Sequence, residues 1–280
     1  MLIPSPTQLG NALRRRLLRM TSLVDLQVRY DALDRPQFAY GLYQAAQQAK
    51  ALGYDAISSL EFGVAGGNGL LALENVAGII GRHFGLRIDV YGFDTGQGMP
   101  TSQDYRDAPF IWRTGQFRMD FEALSSRLTT ARLVIDDVEA GVRRFVEDMS
   151  PAPIGFVSFD MDYYTSTRKA LSLYDADHNL FLPRSLCYFD DIVGDDSELH
   201  CEFIGELLAI REFNDTHGGM KIAPIHGLAT KRPIPDHWHV KTFVLHRFEH
   251  PKYCDFVGSQ ADWQMPLKVR RGGRRVWTPV

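Results

Sequence analysis

The sequence predicts an α/β protein built on a mostly parallel sheet with helices on both faces. Three observations carry that expectation. Short apolar runs alternate with stretches of helical period along most of the chain. The stretch Leu60 to Gly69, Leu-Glu-Phe-Gly-Val-Ala-Gly-Gly-Asn-Gly, places a glycine-rich turn between an expected strand and an expected helix. The first five expected strands each end in an acid: Glu61, Asp94, Asp136, Asp160 and Asp190.

Residues 7–24 carry Arg14, Arg15, Arg16 and Arg19 among Leu13, Leu17, Leu18 and Met20, which predicts a basic amphipathic helix. Packing on the domain or on a second subunit suits it, hence an expected homo-oligomer through the N-terminal helices; organelle targeting is the other role such a helix plays. Asp34-Arg35-Pro36 reads as a turn, and Phe38 to Leu52 as a helix ending at Gly53. Ala56, Ile57 and Leu60 mark the first strand. Leu70, Leu71, Leu73, Val76, Ile79 and Ile80 then recur at helical spacing up to Gly81–Gly85. Ile88, Val90, Tyr91 and Phe93 mark the second strand. Residues 95–117 hold Gly96, Gly98, Pro100 and Pro109 without a period, a long loop of the kind that forms functional lids. A helix is expected over Phe121–Leu128, a third strand over Leu133–Ile135 and a helix to about Asp148. A fourth strand follows over Ile154–Phe159, a helix over Ser166–Tyr174 and a fifth strand over Leu186–Phe189. Asp196 or Ser197 is expected to cap a helix running to Phe213. Strands near Lys221–Pro224 and Val240–Leu245 bring the total to seven. The expected organisation is an N-terminal helical region over 1–55, serving as lid or oligomer contact. A main domain over 56–250 follows, then a basic tail over 251–280 with Lys268, Arg270, Arg271, Arg274 and Arg275.

Composition narrows the function. The net charge of −3 gives no basic field for nucleic acid. No apolar run is long enough to span a membrane. Cys187, Cys201 and Cys254 are odd in number and widely spaced, which suggests a reducing compartment and a cytoplasmic protein.

The acids narrow it further. Strand ends of one polarity share one edge of a parallel sheet, where ligands bind. Carboxylates gathered there repel one another unless cations or hydroxyls occupy the edge. Glu61 can catch a ligand hydroxyl or amine, and Asp94 can accept the hydroxyls of a ribose. Asp160, Asp190 and Asp191 offer three hard oxygen ligands, which suit Mg²⁺, Mn²⁺ or Ca²⁺ rather than Zn²⁺. Neighbouring strand residues face opposite ways, so Asp190 and Asp191 reach one ion only if the chain turns there. Asp136 and Asp137 suit a helix N-cap equally well. The glycine spacing departs from G-x-G-x-x-G, which argues against a dinucleotide oxidoreductase.

Three segments resemble the metal-dependent O-methyltransferases of the macrocin O-methyltransferase (TylF-like) type, within the class I, Rossmann-like, S-adenosylmethionine (SAM)-dependent methyltransferases. They are Glu61-Phe62-Gly63-Val64-Ala65-Gly66-Gly67; Tyr91-Gly92-Phe93-Asp94-Thr95 with Gly98 and Pro100; and Phe159 to Thr167 followed by Tyr188-Phe189-Asp190-Asp191. The resemblance implies that Asp160, Asp190 and Asp191 hold a divalent metal. It places Glu61, Gly63 and Gly66 by the methionine part of SAM, Asp94 at the ribose, and Asp136 or Asp137 near the adenine. Gly96 departs from the aromatic usual after the ribose acid. The implied reaction is methyl transfer to a hydroxyl of a small molecule, a sugar or other secondary metabolite. Asp162 is the expected base, two residues after Asp160 and on its face if the strand persists; Tyr163 is the second choice. The competing reading is a non-catalytic SAM- or nucleotide-binding protein that keeps the fold.

Overall fold

The computed structural model describes residues 6–258. The basic residues expected in the tail, Lys268 to Arg275, lie outside the described residues. Seven strands form one sheet: β1 (Ala56–Phe62), β2 (Arg87–Asp94), β3 (Arg132–Ile135), β4 (Ile154–Phe159), β5 (Phe181–Phe189), β6 (Met220–Pro224) and β7 (Thr242–Arg247). Their order is β3-β2-β1-β4-β5-β7-β6, and only β7 runs antiparallel to its neighbours. The helices are α1 (Pro6–Arg19), α2 (Val24–Arg29), α3 (Pro36–Ala51), α4 (Asn68–Phe84), α5 (Phe121–Ser125), α6 (Val138–Asp148), α7 (Tyr164–Leu171), α8 (Gly205–Thr216) and α9 (Leu228–Lys231).

The sheet divides two cores. On one face Leu42, Ala45 and Ala49 of α3 and Leu70, Leu73 and Val76 of α4 pack with Phe156, Leu182 and Tyr188. On the other, Phe145 of α6, Leu171 of α7 and Phe213 of α8 meet a row of phenylalanines. That row sets the register. Phe62 pairs with Phe93 on β2 and with Phe159 on β4, and Phe159 pairs with Phe189 on β5. The rings of Phe62 and Phe93, Phe62 and Phe159, and Phe159 and Phe189 stack with centroids 4.5, 5.5 and 4.7 Å apart. Each such contact contributes about 0.5–1.5 kcal/mol beyond the area it buries.

Several boundaries differ from the expectation. The N-terminal helix breaks in two, because the Gln27 side chain donates to the carbonyls of Leu18 and Thr21 and holds a turn between α1 and α2. Leu9, Leu13, Leu17 and Met20 face outward from this region. The expected boundary at residue 55 does not separate two cores, since α3 lies on the sheet beside α4. Asp31 also accepts from Arg232 at 2.5 Å, a buried pair that ties the N-terminal helices to the chain after α9. The fifth strand begins at Phe181, which pairs with Ile154 of β4 ahead of a register shift to Phe156–Leu186. No helix starts at Asp196 or Ser197; α8 begins at Gly205, after Leu199 and Gly205 itself adopt φ of +52° and +56°.

Residues 95–117 form the expected long loop apart from one short 3₁₀ turn at Tyr105–Asp107, and it is strapped to the fold. Helix α7 has no side-chain cap of its own. Asp107 supplies one from the loop, accepting from the Thr165 N–H at 2.8 Å, the Thr165 hydroxyl at 3.0 Å and the Ser102 hydroxyl at 2.5 Å. Arg106 lies over the Tyr164 ring, 4.4 Å from its centroid. Losing a charged, buried acceptor of this kind costs about 1–3 kcal/mol. Asp107→Ala is therefore expected to lower urea-unfolding stability by that order and to admit protease between residues 95 and 117. Unchanged stability and cleavage would show that the loop is held by other contacts.

Candidate functional site

The phenylalanine row delivers acids to one edge of the sheet. Glu61 precedes Phe62 by one residue, and Asp94, Asp160 and Asp190 each follow a row member by one residue. Side chains alternate along a strand, so Glu61 faces away from the rings, towards α4. Gly69 in the first turn of α4 leaves room for its carboxylate; a Cβ there would fall 1.9 Å from Oε1. Gly63 lets the turn pass under β4. It has φ +84°, and a Cβ would fall 1.7 Å from the Asp160 carbonyl oxygen. Around Gly66 the space is open. Glu61 is buried, and its Oε2 has no partner. A buried carboxylate oxygen without a partner is uncommon and marks this position out.

Beside it lies the acidic cluster. Asp160, Asp190 and Asp191 each offer an oxygen, and these oxygens lie within 4.8 Å of one another. The chain does turn at the aspartate pair, since Asp191 takes φ −100°, ψ 39° within a 3₁₀ turn. Hydrogen bonds hold the arrangement. Asp191 Oδ2 accepts from the Asp162 N–H at 2.8 Å, and the Asp191 N–H donates to Glu206 Oε2 at 3.0 Å. Tyr188 donates to Asp190 Oδ1 at 2.7 Å. Lys241 donates to the Asp190 carbonyl at 2.5 Å and lies 3.3 Å from its Oδ1.

Burial, then mutual repulsion, governs the charges. Burial pushes Asp160 well above the usual carboxylate range, as do Asp191 and Asp190, against Arg35 and Lys241. Asp191 is raised by burial, Asp162 and Asp190. Glu61 and Glu206 are raised by burial first, then by Asp160 and Asp191 respectively. Asp162 is pushed up to about 7 by burial and Asp160. Carboxyls so placed favour their proton or a bound cation over bare charge.

The remaining expected residues fall out differently. Asp94 spends its oxygens on the backbone, accepting from Ala65 N–H at 2.8 Å and Gly96 N–H at 2.6 Å, and so fixes the glycine turn. Asp137 caps α6 through the Glu139 N–H and pairs with Lys169. Asp136 accepts from the Asp137 N–H and pairs with Arg144. Strand β4 stops at Phe159, so Asp162 does not share a strand face with Asp160; it sits instead at φ +57° in the turn into α7. Tyr163 is buried, and burial, Asp107 and Asp162 hold its hydroxyl pKa above the ordinary value, the opposite of what a base needs. Lys241 and Glu206 escaped the sequence reading because they join the cluster from distant segments. Tyr188 stood two residues before Asp190, the spacing that puts both on one strand face.

The residues present fit both groups that the sequence implies. Three hard carboxylate oxygens suit Mg²⁺, Mn²⁺ or Ca²⁺. The partnerless oxygen of Glu61 and the open space at Gly66 suit a ligand bearing an ammonium group. Two open clefts of the fold are not lined by these acids: one of about 530 Å³ lies between Arg19 and His83, and one of about 490 Å³ lies beside Tyr40 and Arg184.

Two predictions follow from this geometry. Gly63→Ala meets a backbone atom in a left-handed conformation that alone costs about 1–3 kcal/mol; a lower melting temperature is expected. Gly66→Ala is expected to melt as the wild type does and to bind cofactor more weakly. The reverse ranking would mean that Gly66, not Gly63, carries the turn. The second prediction concerns pH. Asp162, raised from 3.8 to about 7, binds more protons folded than unfolded. Its contribution is present at low pH and is lost as pH rises through about 4 to 7. A cation held by the neighbouring Asp160, Asp190 and Asp191 would favour the ionised form of Asp162, so any stabilisation it gives is expected to grow as pH rises. The Mg²⁺-induced gain in melting temperature over a chelator control should grow across that range; a gain independent of pH would overturn this.

No family model matches the sequence, and no curated protein matches it. Solved structures do match. The crystal structure of CalS11, a calicheamicin methyltransferase, aligns at 22% identity and TM-score 0.50, covering 88% of this chain and 94% of that one. The O-methyltransferase NovP aligns at 13% identity and TM-score 0.49, covering 76% and 80%. TomG from Streptomyces achromogenes, an O-methyltransferase of tomaymycin synthesis solved with SAM, aligns at 15% and 0.38, covering 88% and 90%. Likeness at these identities is likeness of fold. With its strand order and antiparallel seventh strand, the chain has the class I, Rossmann-like methyltransferase fold.

Proposed function

We propose that this protein is a SAM-dependent, divalent-metal-dependent O-methyltransferase of the TylF-like type, acting on a hydroxyl of a small molecule. One observation carries the reading: the Asp160, Asp190 and Asp191 oxygens converge beside the partnerless oxygen of buried Glu61. A sugar or other secondary metabolite as acceptor is supported by the sequence resemblance and by the calicheamicin methyltransferase among the fold neighbours.

When bound, SAM supplies the methyl group and the cation supplies the Lewis acidity that favours an ionised acceptor hydroxyl. The chain's own part is placement. Glu61 Oε2 would accept from the ammonium of the methionine moiety. Asp94 keeps the glycine turn in shape through the Ala65 and Gly96 N–H groups, and would hold the ribose. Asp160, Asp190 and Asp191 hold the cation. Asp162, fixed by its N–H to Asp191, receives the acceptor's proton. Holding the reactants in line removes roughly 7–11 kcal/mol of barrier.

One observation favours a second reading, a SAM- or nucleotide-binding protein that works without metal: the Lys241 ammonium already pairs with Asp190. Calorimetric titration of SAM and Mg²⁺ separates the two. In Asp94→Asn the amide nitrogen faces an N–H donor, so a loss of about 1.5–3 kcal/mol, or about 10- to 150-fold in SAM affinity, is expected. Asp160→Asn is expected to lose Mg²⁺ and keep SAM. SAM binding without Mg²⁺ binding in the wild type would favour the second reading. No SAM binding by folded protein would overturn the first reading and leave the second only as a nucleotide binder, tested by titration with NAD and a sugar nucleotide.

A further inference from the structure

Glu206 is a buried acid with no role in the site as the sequence describes it. Its side chain is fully buried, although it stands in the first turn of α8. An acid at such a position ordinarily stays in solvent and gains about 0.3–1 kcal/mol from the helix dipole. Burying it costs far more unless it is paired. Nor does it serve its own helix, which has no side-chain cap. Glu206 Oε2 instead accepts from the Asp191 N–H at 3.0 Å, and Oε1 is buried without a partner. It is not among the three acids whose oxygens converge. Gly205, at φ +56°, brings the helix start against the turn that carries Asp162; a Cβ there would lie 3.6 Å from the Asp162 carbonyl oxygen.

We propose that Glu206 is the positioning residue of the cation site, holding Asp191 in the turned conformation that lets two neighbouring aspartates face one ion. The inference rests on the metal reading above. Asp190 and Asp191 would point to opposite sides of a continuing strand. The bend at Asp191 removes that conflict, and its N–H would be left unpaired at the bend without an acceptor behind it. Glu206 reaches it from α8, across the loop 195–204. The chain Glu206 Oε2 to Asp191 N–H, then Asp191 Oδ2 to Asp162 N–H, links α8 to the turn after β4.

Outer partners of metal ligands typically set affinity by about 10- to 100-fold. The test is Mn²⁺ titration followed by paramagnetic resonance of free Mn²⁺, beside S-adenosylhomocysteine titration and thermal melting. Wild type, Glu206→Gln and Glu206→Ala are compared. Glu206→Ala is expected to weaken Mn²⁺ by about 10- to 100-fold while S-adenosylhomocysteine affinity stays within about twofold. Glu206→Gln keeps an oxygen for the Asp191 N–H and is expected to recover most of the Mn²⁺ affinity. If the alanine variant fails to fold, Glu206→Met, which fills the same buried space without an acceptor for the Asp191 N–H, takes its place with the same expected loss of Mn²⁺ affinity. Equal losses in both variants would overturn the proposal in favour of a purely electrostatic role, and so would no loss in either. A wild type that binds S-adenosylhomocysteine but no Mn²⁺ would instead overturn the metal reading, and this inference with it.

Discussion

The site depends on the stacked row of Phe62, Phe93, Phe159 and Phe189. A parallel sheet can slip in register, and a slip of one residue turns every side chain to the other face. Four large rings stacked across β2, β1, β4 and β5 oppose such a slip, because it would put them out of contact and expose the acids' partners. The acids stand one residue from the rings, so the apolar row decides where the charges go. Packing on one face of the sheet thereby fixes electrostatics at its edge.

The edge is costly. Glu61, Asp160, Asp162, Asp191 and Glu206 are all pushed upward by burial and by each other. The fold offsets part of this with backbone donors and with Lys241 on Asp190. Asp94 shows the other solution, two N–H donors for one carboxylate. The acids that remain under-satisfied are those beside the converging trio. Such a balance is destabilising for a chain alone.

Some expected residues were explained by local structure instead. Asp137 caps a helix, as Asp does after many strands, and the sequence offered that reading beside the functional one. Strand alternation puts Asp162 on the Asp160 face, but β4 ends at Phe159 and the chain turns left-handed at Asp162. The helix expected from Asp196 or Ser197 failed for a similar reason: helical spacing says nothing of a backbone at positive φ such as Leu199.

The sequence by itself determined the class of fold, the glycine turn and the acids that end strands. These are local properties: period, turn chemistry and residue type at an element's end. Only the tertiary structure decided which acids meet. Asp190 and Asp191 converge through a turn held by Glu206, fifteen residues further on, and Lys241 comes from the chain before β7. Asp107 caps α7 from a loop 58 residues earlier. Contacts of that kind leave no periodic trace, because their spacing along the chain is set by intervening elements and not by the geometry of the contact.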